Sequence, residues 1–282
     1  MKLIRSILRG VGQVMFQNNS YTGVLFLIGI FYNSWLLGLA AVLGTVASTL
    51  AAKLLNYSNS EIEDGLFGFN GTLTGIAIFC FFEPTIITLV ALIVASFLSS
   101  WVMHAMKGIL PPFTAPFVLV TWLALSILIF GLNIPLLSSA SNLEETFNLL
   151  QATSKSFGQV MFQNNVITGI FFFLGILINH KIMALYALYA AVLGTLFGWF
   201  FQIDFSTING GLMGYNAILC AIALTGKRMQ DFFWITIAIF TSTLLNIGLG
   251  MTGIITLTAP FVLVTWVIWK LKQVTQSDKM LA

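Results

Sequence analysis

The 282 residues are 58% hydrophobic and only 7% charged, with a formal net charge of +3 and a mean hydropathy of +0.97. A soluble domain carries roughly 25% charged residues, so no water-facing surface can be built here and a soluble globular protein is excluded. The composition predicts an all-α polytopic membrane protein. Cys80 and Cys220 both lie inside apolar runs, which excludes a disulfide framework. No cluster of residues has metal-ligand spacing, so neither a cofactor nor an enzyme is expected, and nothing points to a nucleic-acid partner.

The chain begins with a basic stretch in which Lys2, Arg5 and Arg9 interrupt any apolar core, so no cleaved signal peptide is expected. Next comes Gly12-Gln13-Val14-Met15-Phe16-Gln17-Asn18-Asn19, which returns unchanged at Gly158 to Asn165, 146 residues later. Further pairs follow. Ala40 to Thr45 matches Ala190 to Thr195, Gly68-Phe69-Asn70 matches Gly214-Tyr215-Asn216, and Thr114 to Trp122 matches Thr258 to Trp266. Two copies of one unit are therefore expected, over 1–146 and 147–282.

Apolar runs between polar breaks predict five spans per copy. They fall at about 20–33, 35–54, 65–82, 85–105 and 113–132, then at about 164–179, 182–201, 210–226, 232–250 and 255–270. Five is odd, so the second copy enters from the opposite face, and the halves are expected to be inverted repeats. With the N-terminus placed in the cytoplasm, eleven of the twelve Lys and Arg fall inside and only Lys155 falls outside. A cell (inner) membrane location with both termini cytoplasmic is expected. The repeated Gln-Val-Met-Phe stretch is predicted to dip part-way into the protein as a re-entrant half-helix in each copy. The glycine-rich stretches at 65–71 and 210–216 mark further broken backbone, which membranes tolerate only inside protein or along a cavity.

No acid or histidine falls clearly at mid-membrane, where ion-coupled carriers need one. The predicted pathway is neutral. Its polar groups come in matched pairs: Gln13 with Gln159, and Thr114 with Thr258, each threonine two residues before a proline. Apolar walls come from Phe16 and Phe162, Phe69 and Tyr215, and Leu73 and Leu219. Amide and hydroxyl oxygens accept hydrogen bonds and aromatic rings form flat walls, so the set suits a small planar molecule bearing N–H donors. Asn18-Asn19 and Asn164-Asn165 are expected to cap the following helices, and Gln17 and Gln163 are left out of the site.

Gln13 to Asn19, Gly68 to Leu73 and Leu110-Pro111-Pro112-Phe113-Thr114-Ala115-Pro116-Phe117, with their second copies, resemble the urea transporter family over nearly the whole chain. Two departures stand out. Ser20 and Val166 follow the asparagine pairs where the family often has proline, and the second copy reads Ile254-Ile255-Thr256-Leu257-Thr258, without its leucine-proline. The resemblance implies a channel-like facilitator, a homotrimer with one pore inside each protomer. On matching positions Gln13 and Gln159 would accept urea N–H groups. Phe16 with Phe162, and Phe69 with Tyr215, would sandwich the solute. Val14, Val160, Leu73 and Leu219 would complete the walls, and Thr114 and Thr258 would line the middle. Some members carry glutamate at the second glutamine position, so Gln159 implies a neutral filter. Passive urea transport across the lipid bilayer is the expected function. A channel for another small neutral solute (ammonia, water or a short amide) is the alternative, and a non-transporting scaffold a third.

Overall fold

The computed structural model describes residues 2–137, 144 and 146–281, with side chains through residue 273. Lys279, one of the predicted cytoplasmic cations, lies beyond the described side chains. Every described element is helical; α2, α3, α9 and α10 start and stop within two residues of the predicted breaks, whereas α5 and α12 are shorter than predicted and α14 runs on to Leu281, past the predicted end at 270. In the first half they are α1 (Lys2–Gln13), α2 (Ser20–Asn33), α3 (Trp35–Leu54), α4 (Asn59–Glu63), α5 (Phe69–Phe81), α6 (Ile86–Met106) and α7 (Ala115–Ser126), which runs into a wide turn at Ile127–Gly131. In the second half they are α8 (Leu149–Gln159), α9 (Val166–Asn179), α10 (Lys181–Phe200), α11 (Phe205–Asn209), α12 (Tyr215–Ala223), α13 (Met229–Met251) and α14 (Ala259–Leu281). The second set retraces the first in order and kind.

Among the described residues, α3, α6, α10 and α13 are long and apolar enough to cross a membrane, and α2, α5, α9 and α7 with its turn are shorter apolar helices. Caps set the boundaries. Asn19 accepts from the Tyr21 N–H at the start of α2, and Asn165 accepts from the Thr168 N–H at the start of α9, as predicted. Ser34 does the same for α3, and His180 for α10.

Helices α1 and α8 were not among the predicted spans. They are short and carry polar residues, so no apolar run betrays them. Each buries one face of small residues: Ser6, Gly10 and Gly12 on α1, Ala152, Ser156 and Gly158 on α8.

Helices α5 and α12 are half-length and buried almost end to end. At 1.5 Å per residue they reach only about 20 Å and about 14 Å. Each follows a glycine with positive φ, Gly65 (76°) and Gly211 (79°). A Cβ at Gly65 would lie 2.4 Å from the Gly10 nitrogen, and one at Gly211 2.4 Å from the Lys155 carbonyl carbon. Only glycine supplies both that conformation and that close approach.

The halves meet through reciprocal contacts. The Thr22 hydroxyl on α2 donates to the Gly175 carbonyl on α9, and the Thr168 hydroxyl on α9 donates to the Gly29 carbonyl on α2, both at 2.8 Å. Phe26 and Phe172 pack between them with ring centroids 4.9 Å apart. Asn179 donates to Gln17 and Asn33 donates to Gln163, again both at 2.8 Å. A second such pair lies elsewhere: Trp122 donates to the Ile255 carbonyl and Trp266 to the Pro111 carbonyl, both at 2.8 Å. In each of these contacts residue i touches j and the sequence repeat of i touches the sequence repeat of j, so matching surfaces of the two halves face one another.

Candidate functional site

The repeated stretch forms the end of α1 and of α8, and the way each helix stops aims the aromatic residue. Gln17 N–H bonds to the Gly12 carbonyl and Phe16 N–H to the Gln13 carbonyl; Gln163 to Gly158 and Phe162 to Gln159 repeat the pattern. This is the hydrogen bonding of a Schellman helix stop, which normally places glycine at the left-handed position. Here that position holds Phe16 (φ 60°) and Phe162 (φ 61°). A bulky side chain in that region is strained, and such strain concentrates at functional sites.

Gln13 and Gln159 are the last residues of their helices. The Gln13 amide nitrogen donates to the Asp64 carbonyl at 3.0 Å, and that of Gln159 to the Gly210 carbonyl at 2.8 Å. Both carbonyls belong to the residue before a positive-φ glycine. Each side chain is thus fixed by its nitrogen, and among the described residues no donor reaches either Oε1. Two oriented, unengaged acceptors result.

Thr114 and Thr258 sit immediately before α7 and α14, where a threonine would normally cap with its own side chain. They do not. Asn70 Oδ1 on α5 accepts from the Phe117 N–H at 3.1 Å, and Asn216 Oδ1 on α12 accepts from the Phe261 N–H at 3.2 Å. Pro116 and Pro260 remove another N–H from the same first turns. The threonine hydroxyls are released from capping and face one another across the halves at 2.6 Å, almost fully buried.

The apolar members join one core. Val14, Phe69, Leu73, Val160, Tyr215 and Leu219 are buried in a single cluster, with Phe16 and Phe162 packed against it. The proposed sandwich partners do not touch one another directly. Phe16 meets Phe113 and Phe261 edge-on, both at 6.0 Å, and Phe162 meets Phe81 at 5.7 Å and Phe117 at 6.2 Å. Among the described residues, no ring pairs with Phe69 or with Tyr215. The Tyr215 hydroxyl, to which the sequence alone assigns no role, donates to the Leu257 carbonyl at 2.7 Å and lies 3.0 Å from the Thr256 hydroxyl.

Sequence reasoning passed over Phe113, Phe117 and Phe261, which surround the strained rings, and the capping role of Asn70 and Asn216. The repeat flagged the asparagines and two of the phenylalanines, but their partners lie some 45 residues away, beyond any local pattern. Gln17 and Gln163 are fully buried and join the halves, Gln17 accepting from Asn179 at the end of α9 and Gln163 from Asn33 at the end of α2.

No charged residue appears among the buried side chains described, and no group of three or more possible metal ligands is found among the described residues. The carboxylates at and around Asp64, whose carbonyl accepts from Gln13, are each paired with a cation. Glu63 pairs with Lys2, Asp64 with Arg9 and Glu61 with Lys107.

Comparison with known proteins agrees. The family described as urea transporter matches residues 4–273. Urea transporter 1 of Rattus norvegicus is 33% identical over 245 residues, covering 79% of this chain and 63% of that protein. Urea transporter 1 of Ovis aries is 29% identical over 294 residues, covering 94% of this chain and 76% of that protein. The chain thus spans under two thirds of the length of the rat protein. With the match running across both repeats and every site residue named above, this chain belongs to the urea transporter family.

Proposed function

We propose that the chain conducts urea passively across the bilayer, through a neutral pathway between two inverted repeats, 1–146 and 147–282. The observation that carries this reading is the pair of glutamines held by their nitrogens, with neither Oε1 engaged by a donor among the described residues. Urea is flat and offers four N–H donors. It needs acceptors in its plane and apolar faces on either side; Phe69 and Tyr215 belong to the core cluster, and Phe16 and Phe162, each three residues after its glutamine, pack against it. Leu73, Leu219, Val14 and Val160 close the walls, and the Thr114–Thr258 pair stands in the middle as donor and acceptor. An ion entering such a slot would shed its hydration with no compensating charge.

The reciprocal contacts support the inverted arrangement, because α2 and α9 run antiparallel through them. The ion pairs support placing Lys2, Arg9 and Lys107 on one face, since all three reach Glu61 to Asp64, and the excess of Lys and Arg there favours that face as the cytoplasmic one. Assembly as a homotrimer with one pathway per protomer belongs to the same reading and is checked by cross-linking in membranes.

Urea flux into proteoliposomes is the test. Gln13→Leu and Gln159→Leu each remove one acceptor, and a lost hydrogen bond of about 1 kcal/mol predicts a roughly five- to ten-fold fall in flux. Wild-type flux in both variants would remove the glutamines from the pathway. Wild-type protein passing ammonia or water but no urea would favour the alternative solutes.

A further inference from the structure

The two halves are not equal around their threonines. In the first half the turn before Thr114 is Pro111-Pro112-Phe113; in the second it is Ile255-Thr256-Leu257. Both turns put a non-glycine residue in left-handed backbone immediately before the threonine, Phe113 at φ 45° and Leu257 at φ 49°. The first half stiffens that turn with two prolines, whose φ is locked. The second half has none.

It has a polar group instead. The Tyr215 hydroxyl donates to the Leu257 carbonyl at 2.7 Å. The Thr256 hydroxyl donates to Asn246 Oδ1 at 2.9 Å, and the Asn246 amide nitrogen donates to the Leu212 carbonyl at 2.9 Å. Tyr215 and Asn246 lie on α12 and α13, so the turn is tied to two packed helices.

The mirrored positions in the first half carry apolar residues throughout. Tyr215 corresponds to Phe69 and Thr256 to Pro112, as matching bonds from Ala259 to Thr256 and from Ala115 to Pro112 show. Asn246 corresponds to Met103: Asn216 Nδ2 lies 3.4 Å from Asn246 Oδ1, and Asn70 Nδ2 lies 3.6 Å from Met103 Sδ. Three positions far apart in sequence therefore differ together, Phe-Met-Pro in one half and Tyr-Asn-Thr in the other. An unpartnered hydroxyl or amide in this buried place would be costly, so a partial exchange is disfavoured.

We propose that Tyr215, Asn246 and Thr256 form a hydrogen-bonded brace that replaces the paired prolines of the first half. It holds the Leu257 turn, and through it the Thr258 hydroxyl, in position for solute passage. Asn246 and Thr256 are positioning residues, and Tyr215 serves twice, its ring as a wall of the pathway and its hydroxyl as part of the brace: Thr258 meets the solute and the brace holds Thr258. The proposal rests on the urea pathway stated above. It adds that the second half's selectivity depends on a buried tyrosine hydroxyl, which the first half lacks.

The test transplants the first half into the second. Purified wild type, Tyr215→Phe, Asn246→Met and the triple variant Tyr215→Phe/Asn246→Met/Thr256→Pro are compared in proteoliposomes for flux of urea and of methylurea. Among the described residues no hydrogen bond uses the Thr256 N–H, so proline is admissible there. Each single variant should lose urea flux by roughly five-fold, the factor equivalent to one lost hydrogen bond, and should discriminate less against methylurea because Thr258 is loosened. The triple variant should recover both flux and discrimination. A thermal melt in detergent separates misfolding from mispositioning. Unchanged flux and discrimination in Tyr215→Phe overturns the brace, as does a folded triple variant that fails to recover. Wild-type vesicles without urea flux would instead strike the pathway itself.

Discussion

Phe16 and Phe162 hold left-handed backbone at positions where helix stops favour glycine. Each placement costs about 1–2 kcal/mol relative to ordinary backbone, so the ring must do something that glycine cannot. Phe16→Leu keeps the hydrophobic contact but removes the flat face. It should shift stability by less than about 1.5 kcal/mol while lowering urea flux several-fold, as read by a thermal melt and a vesicle flux assay on the same preparation. Glycines give the complementary case. Gly65 and Gly108 both have positive φ, but a Cβ at Gly65 meets backbone at 2.4 Å whereas one at Gly108 meets nothing within 4 Å. Gly108→Ala should therefore cost only about 1 kcal/mol of backbone strain. Gly65→Ala should cost at least twice as much, roughly 2–4 kcal/mol, because α1 must move away. Equal melting temperatures for the two variants would contradict this account.

At the scale of the elements, the half-helices α5 and α12 act as caps for helices that begin more than 40 residues later. Asn70→Leu would orphan the Phe117 N–H in a buried place. The expected loss is about 1–3 kcal/mol of stability, with a further fall in flux as Thr114 turns back to cap its own helix. A melt and a flux assay on Asn70→Leu, with Asn216→Leu as its twin, check both parts. Such links explain what could be read from the sequence. The long helices were legible because twenty apolar residues between polar caps leave little choice, and α2, α3, α9 and α10 begin and end within two residues of expectation. The glutamine and threonine pairs were legible because the repeat presents each twice in one context. Helices α1 and α8 were not, since a short helix burying small residues leaves no apolar run. The capping asparagines and the Tyr215 hydroxyl were not either, because their partners lie on other helices. A hydrogen bond between distant elements leaves no local period to detect.

Across the whole molecule, reciprocity is the feature that invites measurement. Thr22 and Thr168 make the same bond to opposite halves. Thr22→Val and Thr168→Val should each cost about 1 kcal/mol, and the two melts should agree closely. Strongly unequal values would mean that the halves do not share their interface evenly. The interior chemistry gives a second check. No charged side chain is buried among those described, so urea flux should not change between about pH 5.5 and 8, nor respond to sodium, since neither proton nor cation has a group to bind. A flux that rises or falls across that interval in a pH series would reveal a coupling site.

The crossed threonines, the tryptophan pair and the Phe26–Phe172 contact join the halves without using the chain that runs between them. The peptide link is then a tether, raising the local concentration of each half for the other. Two separately translated polypeptides, ending near residue 137 and beginning near residue 146, should find each other in one bilayer and conduct.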